Sequence, residues 1–127
     1  MNLNLFRKLL FCFICFLSFS AGAECLSGEI YVKDLPKEAR KTLFLIKQNG
    51  PFPYKKDGTV FGNYERCLPK QKRGYYREFT VKTPRAGNRG TRRIISGNTK
   101  SKCGEYYYTA NHYRTFKRIR ENGYECN

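Results

Sequence analysis

The sequence predicts an α+β domain, one N-terminal helix packed on a twisted antiparallel β-sheet. Three observations predict it. Apolar residues at helical spacing occur in one early segment, residues 36–48. From residue 59 onward the chain is rich in tyrosine, threonine and β-branched residues that alternate with period two. Glycine and proline turns cut this second region into short runs, the pattern of an antiparallel meander.

A leader precedes these elements. Arg7 and Lys8 form a positive n-region, Leu9 to Phe19 is a short apolar stretch, and Ala21-Gly22-Ala23 supplies the small residues of a cleavage site. The apolar stretch is about a dozen residues, short of the roughly 20 that span a bilayer. The expected organisation is a signal peptide over 1–23 and one domain over 24–127, exported and free of the membrane once processed.

The helix is expected from Pro36 to Gln48, with Asp34 as capping candidate, Pro36 in the first turn and Asn49-Gly50 as the stop. Ala39, Leu43 and Ile46 form its buried stripe, with Leu35 just before it; Lys37, Arg40, Lys41 and Lys47 face water. Pro51, Pro53 and Asp57-Gly58 punctuate a loop. Strands are expected at Thr59–Phe61, Tyr75–Lys82, Thr91–Ser96, Glu105–Thr109 and Arg114–Ile119. In the second of these, Phe79 and Val81 share one face, and Tyr76, Glu78 and Thr80 the other.

Of six cysteines, Cys12 and Cys15 fall in the leader, leaving Cys25, Cys67, Cys103 and Cys126. An even count in an exported chain points to disulfides, and four cysteines allow three pairings. Domain termini often lie close together, which favours Cys25–Cys126 and leaves Cys67–Cys103. A zinc site is disfavoured, because the mature part has no Cys-x-x-Cys pair and His112 is the chain's one histidine.

The chain has 25 Lys and Arg against 10 Asp and Glu. Without Arg7 and Lys8 the mature part carries 23 against 10, a net +13. Such an excess costs stability by self-repulsion and points to a polyanionic partner. Charge alone leaves RNA, DNA, anionic membranes and acidic glycans open, and is equally compatible with a non-catalytic cationic binding or antimicrobial protein.

Four features narrow this. His112 sits in the turn Ala110-Asn111-His112-Tyr113, where an exposed imidazole can give or take a proton. Glu78 occupies a strand interior, which disfavours glutamate. In Arg89-Gly90-Thr91-Arg92-Arg93, strand alternation turns Arg89 and Arg93 to one side and Arg92 to the other. Paired guanidinium donors suit a phosphate that gains charge in a transition state. Together these supply a base, an acid and a phosphate clamp, which RNA cleavage needs, with no metal or other cofactor. The fourth feature is Phe61-Gly62-Asn63-Tyr64-Glu65. The Glu65 carboxylate can accept from both N1–H and N2–H of guanine, whereas adenine presents an acceptor at N1. Tyr64 offers a stacking surface for an unpaired base, and Gly62 and Asn63 tolerate left-handed backbone.

Taken in order, these residues resemble the microbial guanyl-specific ribonucleases, the family of barnase and the streptomycete extracellular ribonucleases. The match covers most of the mature chain. It is carried by Leu35-Pro36 through Leu43, Leu45-Ile46, Asn49-Gly50-Pro51-Phe52-Pro53-Tyr54, Asp57-Gly58, Val60-Phe61, Asn63, Glu65, Leu68-Pro69 and Gly74-Tyr75-Tyr76. It continues through Glu78, Thr80-Val81, Arg89 to Ile95, Tyr107-Tyr108-Thr109, His112-Tyr113 and Thr115-Phe116. The resemblance implies the microbial ribonuclease fold, Glu78 as general base, His112 as general acid, and Arg89 and Arg93 as phosphate ligands. It further implies Phe61 to Glu65 as the guanine loop, with Tyr113 beside the nucleotide. The implied reaction cuts single-stranded RNA after guanosine through a 2′,3′-cyclic phosphate to a 3′-phosphate. A terminal Cys25–Cys126 pair also resembles the streptomycete pattern, and the expected protein is a monomer, with a small acidic inhibitor of the barstar type as a candidate partner. The chain departs from that pattern in four ways, one of them Cys67–Cys103 as an additional pair. Gly62 and Tyr64 replace bulkier polar and arginine residues, so that Asn63-Tyr64-Glu65 is closer to fungal members; Lys37, Lys70, Lys72 and Arg73 add charge; and the segment between Cys25 and Leu35 lies outside the match.

Overall fold

The computed structural model describes residues 25–121. One helix, α1 (Lys37–Lys47), packs on a six-stranded sheet of β1 (Leu26–Tyr31), β2 (Thr59–Val60), β3 (Tyr76–Thr80), β4 (Arg93–Gly97), β5 (Tyr106–Thr109) and β6 (Phe116–Arg120). The spatial order is β1-β6-β5-β4-β3-β2. Strands β2 to β6 form the expected antiparallel meander.

β1 is not part of that meander. It pairs in parallel with β6, Ile30 opposite Ile119 and Tyr31 opposite Arg120. Its register shifts between Leu26 and Glu29, where Gly28 adopts φ 89°. That interruption, and a mostly exposed pattern, leave it without the alternation that marks the later strands.

The helix is shorter than expected at each end, and Asp34 does not cap it. The N-cap position is Pro36, with no side-chain cap, and Asp34 ends a 3-10 turn over Val32–Asp34. The approach to the helix is fixed instead by Leu35, only 2 % exposed, and by Arg40 Nη1, which donates to the carbonyls of Lys33 and Leu35. At the far end Asn49 and Gly50 turn left-handed, and Gly50 N–H bonds Leu45 O at 2.8 Å. The stop signal acts as the sequence indicates.

Leu35, Ala39 and Leu43 meet Val81, Ile94, Tyr108 and Ile119 in one apolar cluster, with Ile46 partly buried against it. Each large aliphatic side chain buried there stabilises by about 1.5–3 kcal/mol before entropy is counted. Thr42 Oγ1 donates to Thr80 O at 3.0 Å, a further tie between helix and sheet. The opposite face is covered over only part of its area. Leu68 and Cys67, at the end of the 61–68 loop, pack there on Tyr76, Ile95, Tyr107 and Phe116. The rest of that face carries Glu78, Thr80, Arg93 and Thr109. Cross-strand register places Glu78 opposite Ile95, and Thr80, Arg93 and Thr109 in one row.

The disulfide pairing differs from expectation. Cys25 is bonded to Cys67, with Cα atoms 5.2 Å apart. This excludes both Cys25–Cys126 and Cys67–Cys103. Proximity of the termini is a weaker constraint than burial: Cys67 is carried down onto the sheet beside Phe116, whose N–H bonds Cys25 O at 2.7 Å. Cys103 is also disulfide-bonded, and Cys126 lies outside the described residues, as does the leader. Among the described residues no helix is long and apolar enough to cross a membrane.

Candidate functional site

Glu78 extends from the middle of β3 onto the uncovered face, where its side chain is 15 % exposed. Both oxygens are engaged. Oε1 accepts from Arg89 Nη2 at 2.9 Å, and Oε2 accepts from the Tyr113 hydroxyl at 2.9 Å. Arg89 lies before β4, because the strand begins at Arg93 rather than Thr91, so strand alternation does not orient it. Its guanidinium is aimed by Thr80 Oγ1, which accepts from Nε at 3.1 Å and from Nη2 at 2.9 Å. Thr80 in turn is set by Asp57, whose Oδ1 accepts from Thr80 N–H at 2.8 Å while Oδ2 accepts from Tyr54 N–H.

Arg93 begins β4 and is 3 % exposed. Its Nη1 donates to the carbonyls of Gly90 at 3.1 Å and Arg92 at 2.8 Å, and more weakly to Arg89 at 3.4 Å. The loop before the strand is therefore wrapped around a buried guanidinium. Gly90 permits the wrap: its φ is +65°, and a Cβ there would lie 2.4 Å from Thr83 Oγ1. Arg92 points the other way, as expected, and pairs with Glu38 of α1 at 3.2 Å. The Glu38 carboxyl is held below its ordinary range, first by a backbone hydrogen bond and then by Arg92.

His112 is exposed, on a turn in which it and Tyr113 both take left-handed backbone, φ 53° and 72°. Non-glycine residues adopt that conformation only where neighbours fix it. Thr109 Oγ1 accepts from the N–H of Asn111 and of Tyr113. Asn111 Oδ1 accepts from Thr115 N–H at 2.9 Å, and Nδ2 donates to Thr115 Oγ1 at 2.9 Å. His112 N–H bonds Thr91 O at 2.9 Å, tying the turn to the arginine loop. The imidazole packs on Tyr113, ring centroids 4.8 Å apart. Burial, and then the bond to Glu78, push the Tyr113 phenol well above its ordinary value, so it remains a donor. A continuous line thus runs from His112 through Tyr113 and Glu78 to Arg89.

The 61–65 segment begins beside this line. Phe61 packs on Tyr113 at 4.9 Å, and its N–H bonds Tyr76 O at 2.9 Å. Asn63 is left-handed, φ 52°, and both ends of its amide bond the backbone of Leu68, Nδ2 to O at 3.0 Å and Oδ1 from N–H at 3.1 Å. Gly62 does not adopt the left-handed conformation expected of it. It makes room instead, since a Cβ there would meet the Tyr64 ring at 2.4 Å. Tyr64 is 81 % exposed and its hydroxyl accepts from Arg73 at 3.0 Å. Glu65 is exposed, and with Phe61, Asn63, Tyr64, Tyr113 and Phe116 it lines a cleft of about 150 Å³. Glu78, Arg89, Arg93 and His112 therefore gather at one end of the open face, with residues 61–65 adjoining.

Thr80, Asp57, Thr109 and Asn111 hold this arrangement without having been singled out from the sequence. The signal for Asn111 was its place in a turn; the threonine hydroxyls find their partners only through sheet register. Among the described residues, no group of three or more His, Cys, Asp or Glu is placed to hold a metal ion.

The sequence model of the ribonuclease family matches residues 19–120. Guanyl-specific ribonuclease Sa of Kitasatospora aureofaciens is 53 % identical over 94 residues, 74 % of this chain and 95 % of that protein. Guanyl-specific ribonuclease St of Saccharopolyspora erythraea is 48 % identical over 89 residues, 70 % and 84 % of the two chains. The crystal structure of ribonuclease Sa2 with guanosine-2′-cyclophosphate superposes with a TM-score of 0.68 at 47 % identity, covering 77 % of this chain and 99 % of that one. Its complex with 3′-GMP gives 0.67 at 46 % identity, covering 76 % and 99 %. With sequence, sheet order and single helix in agreement, this chain belongs to the guanyl-specific ribonucleases.

Proposed function

We propose that this protein is an exported, monomeric endoribonuclease that cleaves single-stranded RNA on the 3′ side of guanosine. The observation that carries the mechanism is the Glu78 carboxylate, held between Arg89 and Tyr113 on a strand interior. Glu78 takes the proton from the guanosine 2′-OH, whose oxygen then attacks phosphorus. Arg89 and Arg93 stabilise the charge gathering on the phosphoryl oxygens. Arg93 Nε, buried without a partner, is a donor that such an oxygen would satisfy. His112 gives a proton to the departing 5′-oxygen, leaving a 2′,3′-cyclic phosphate. In the second step the two exchange roles: His112 takes a proton from water, Glu78 returns one to the 2′-oxygen, and a 3′-phosphate results.

Glu65 accepts N1–H and N2–H of guanine in the cleft bounded by Phe61 and Tyr113, and Tyr64 stacks on the base. Signal peptide 1–23 directs export of domain 24–127, and the Cys25–Cys67 bond suits an oxidising destination. A small acidic protein that covers Arg89, Arg93 and His112 would serve as inhibitor, with binding that weakens as salt rises. The test is a cleavage map of a defined RNA by the mature protein in EDTA. Cuts after guanosine ending first in cyclic and then in 3′-phosphate are expected. Cuts after every base, or 5′-phosphate products, would sink the reading.

A further inference from the structure

Beside the guanine loop lies a second groove, of about 370 Å³, between residues 61–66 and 70–73 with Tyr76 of β3 at its base. Four cations line it, Arg66, Lys70, Lys72 and Arg73, and no carboxylate does. The ion pairs among the described residues are Lys47–Glu121, Arg89–Glu78, Arg92–Glu38 and Arg120–Glu29. None of them neutralises this cluster. Arg73 donates to a neutral partner, the Tyr64 hydroxyl. Four clustered cations repel one another, and a polyanion relieves that repulsion.

The groove shares Phe61, Asn63 and Tyr64 with the cleft that contains Glu65, and that cleft shares Tyr113 with Glu78. The guanine cleft therefore adjoins both the catalytic cluster and the cationic groove, and the groove shares no residue with Glu78, Arg89, Arg93 and His112. In the proposed function the phosphate 3′ of guanosine occupies the catalytic end. A groove that adjoins the guanine cleft but none of the phosphate-binding residues is reached by the strand leaving guanosine through its 5′-oxygen. We infer that the groove is an upstream RNA subsite, in which Arg66, Lys70, Lys72 and Arg73 hold phosphates on the 5′ side of the cleaved guanosine. The Tyr64 ring, which also lines the guanine cleft, forms the wall between the two. This rests on the proposed function for its direction, 5′ rather than 3′.

The test compares two product-like ligands, 3′-GMP and the tetranucleotide UUUG ending in a 3′-phosphate, by titration calorimetry at low salt. The wild type is expected to bind the tetranucleotide at least about tenfold more tightly than 3′-GMP. The variants are Lys70→Ser/Lys72→Ser and Lys70→Glu/Lys72→Glu, with folding checked by circular dichroism. The serine pair should lose most of that advantage yet bind 3′-GMP within about twofold of wild type; the glutamate pair should lose all of it. Their salt dependence should be shallower by roughly 1 in the logarithmic slope, at about 0.7 per phosphate contact on a single strand. Equal affinity of the wild type for both ligands overturns the subsite. So does an advantage that survives both variants, and if these also weaken capture of an acidic protein, the groove is a protein-docking surface. Cleavage of GpU by the wild type is scored separately. Its absence sinks the proposed function and the 5′ assignment, whatever the affinities.

Discussion

The two ends of the proposed site are built differently. At the catalytic end, functional side chains are bonded to one another: Glu78 to Arg89 and Tyr113, Arg89 to Thr80, Arg93 to the loop that carries Arg89. At the guanine loop the main ties run to backbone, with the Asn63 amide clamped on Leu68, while Tyr64 is exposed and bonded to Arg73 and Glu65 projects into solvent. A group that moves protons must be within hydrogen-bond reach before substrate arrives. A group that reads a base edge needs its backbone fixed and its own rotamer free to meet the ligand.

Breaking the catalytic end should have the largest effect. Glu78→Gln or His112→Ala should each lower kcat by about 10² to 10⁴-fold, with KM little changed and the melting temperature near wild type. The wild-type rate should be bell-shaped in pH, rising as Glu78 loses its proton and falling as His112 does. Glu78→Gln should remove the acid limb, and a curve unaltered by that change would break the assignment. Next comes the covalent tie between the end of the loop and the first strand. Cys25→Ser/Cys67→Ser opens a loop with a sequence separation of 42 and should lower unfolding free energy by about 4 kcal/mol in the chain-entropy model. Urea unfolding measures it. If the loop reads guanine through backbone placement, KM should rise while kcat holds.

Glu65→Gln should cost about 1.5–3 kcal/mol of guanine binding, the range for hydrogen bonds to a charged group. It is read as a fall in the preference for GpU over ApU, again without loss of kcat on the substrate that remains. Asn63→Ala removes both amide bonds to Leu68 and should cost about 1–2 kcal/mol of stability, with a KM effect larger than its kcat effect. An equal fall in both would mean that the loop also positions the reacting phosphate. The smallest effect per group concerns alkaline stability. Burial holds the Tyr76 and Tyr107 phenols well above their ordinary value, as it does Tyr113. The unfolded chain releases these protons first, so the stability is complete below pH 10 and drains away as pH rises towards the folded-state values. Each should cost about 0.8 kcal/mol by pH 10.5, read as a lower urea midpoint.

Much of this was legible in the sequence because it depends on local pattern. Ala39 and Leu43 predict the helix and its buried side, and Asn49-Gly50 its end. The polar face of β3 predicts where Glu78 points. Arg92 was expected to turn away from Arg93 and does so, towards Glu38. What escaped depends on partners distant in the chain. β1 becomes a strand because β6, some ninety residues later, offers an edge. The Cys25–Cys67 bond follows from how the guanine loop folds over Phe116, which no spacing rule contains. Thr80 and Thr109 become positioning groups once sheet register sets them in a row with Arg93, and in the sequence they are two of eight threonines.

The sheet's two outermost strands carry a consequence for solubility. An edge strand offers unpaired backbone groups to any chain it meets, the starting point of aggregation. Here one edge is β2, two residues long. The other is β1, bent by its irregularity at Gly28 and fastened to β6 by the Glu29–Arg120 ion pair. Neither offers a flat row of hydrogen bonds long enough to template a neighbour. Net positive charge also holds copies apart, so both edges and the charge oppose self-association.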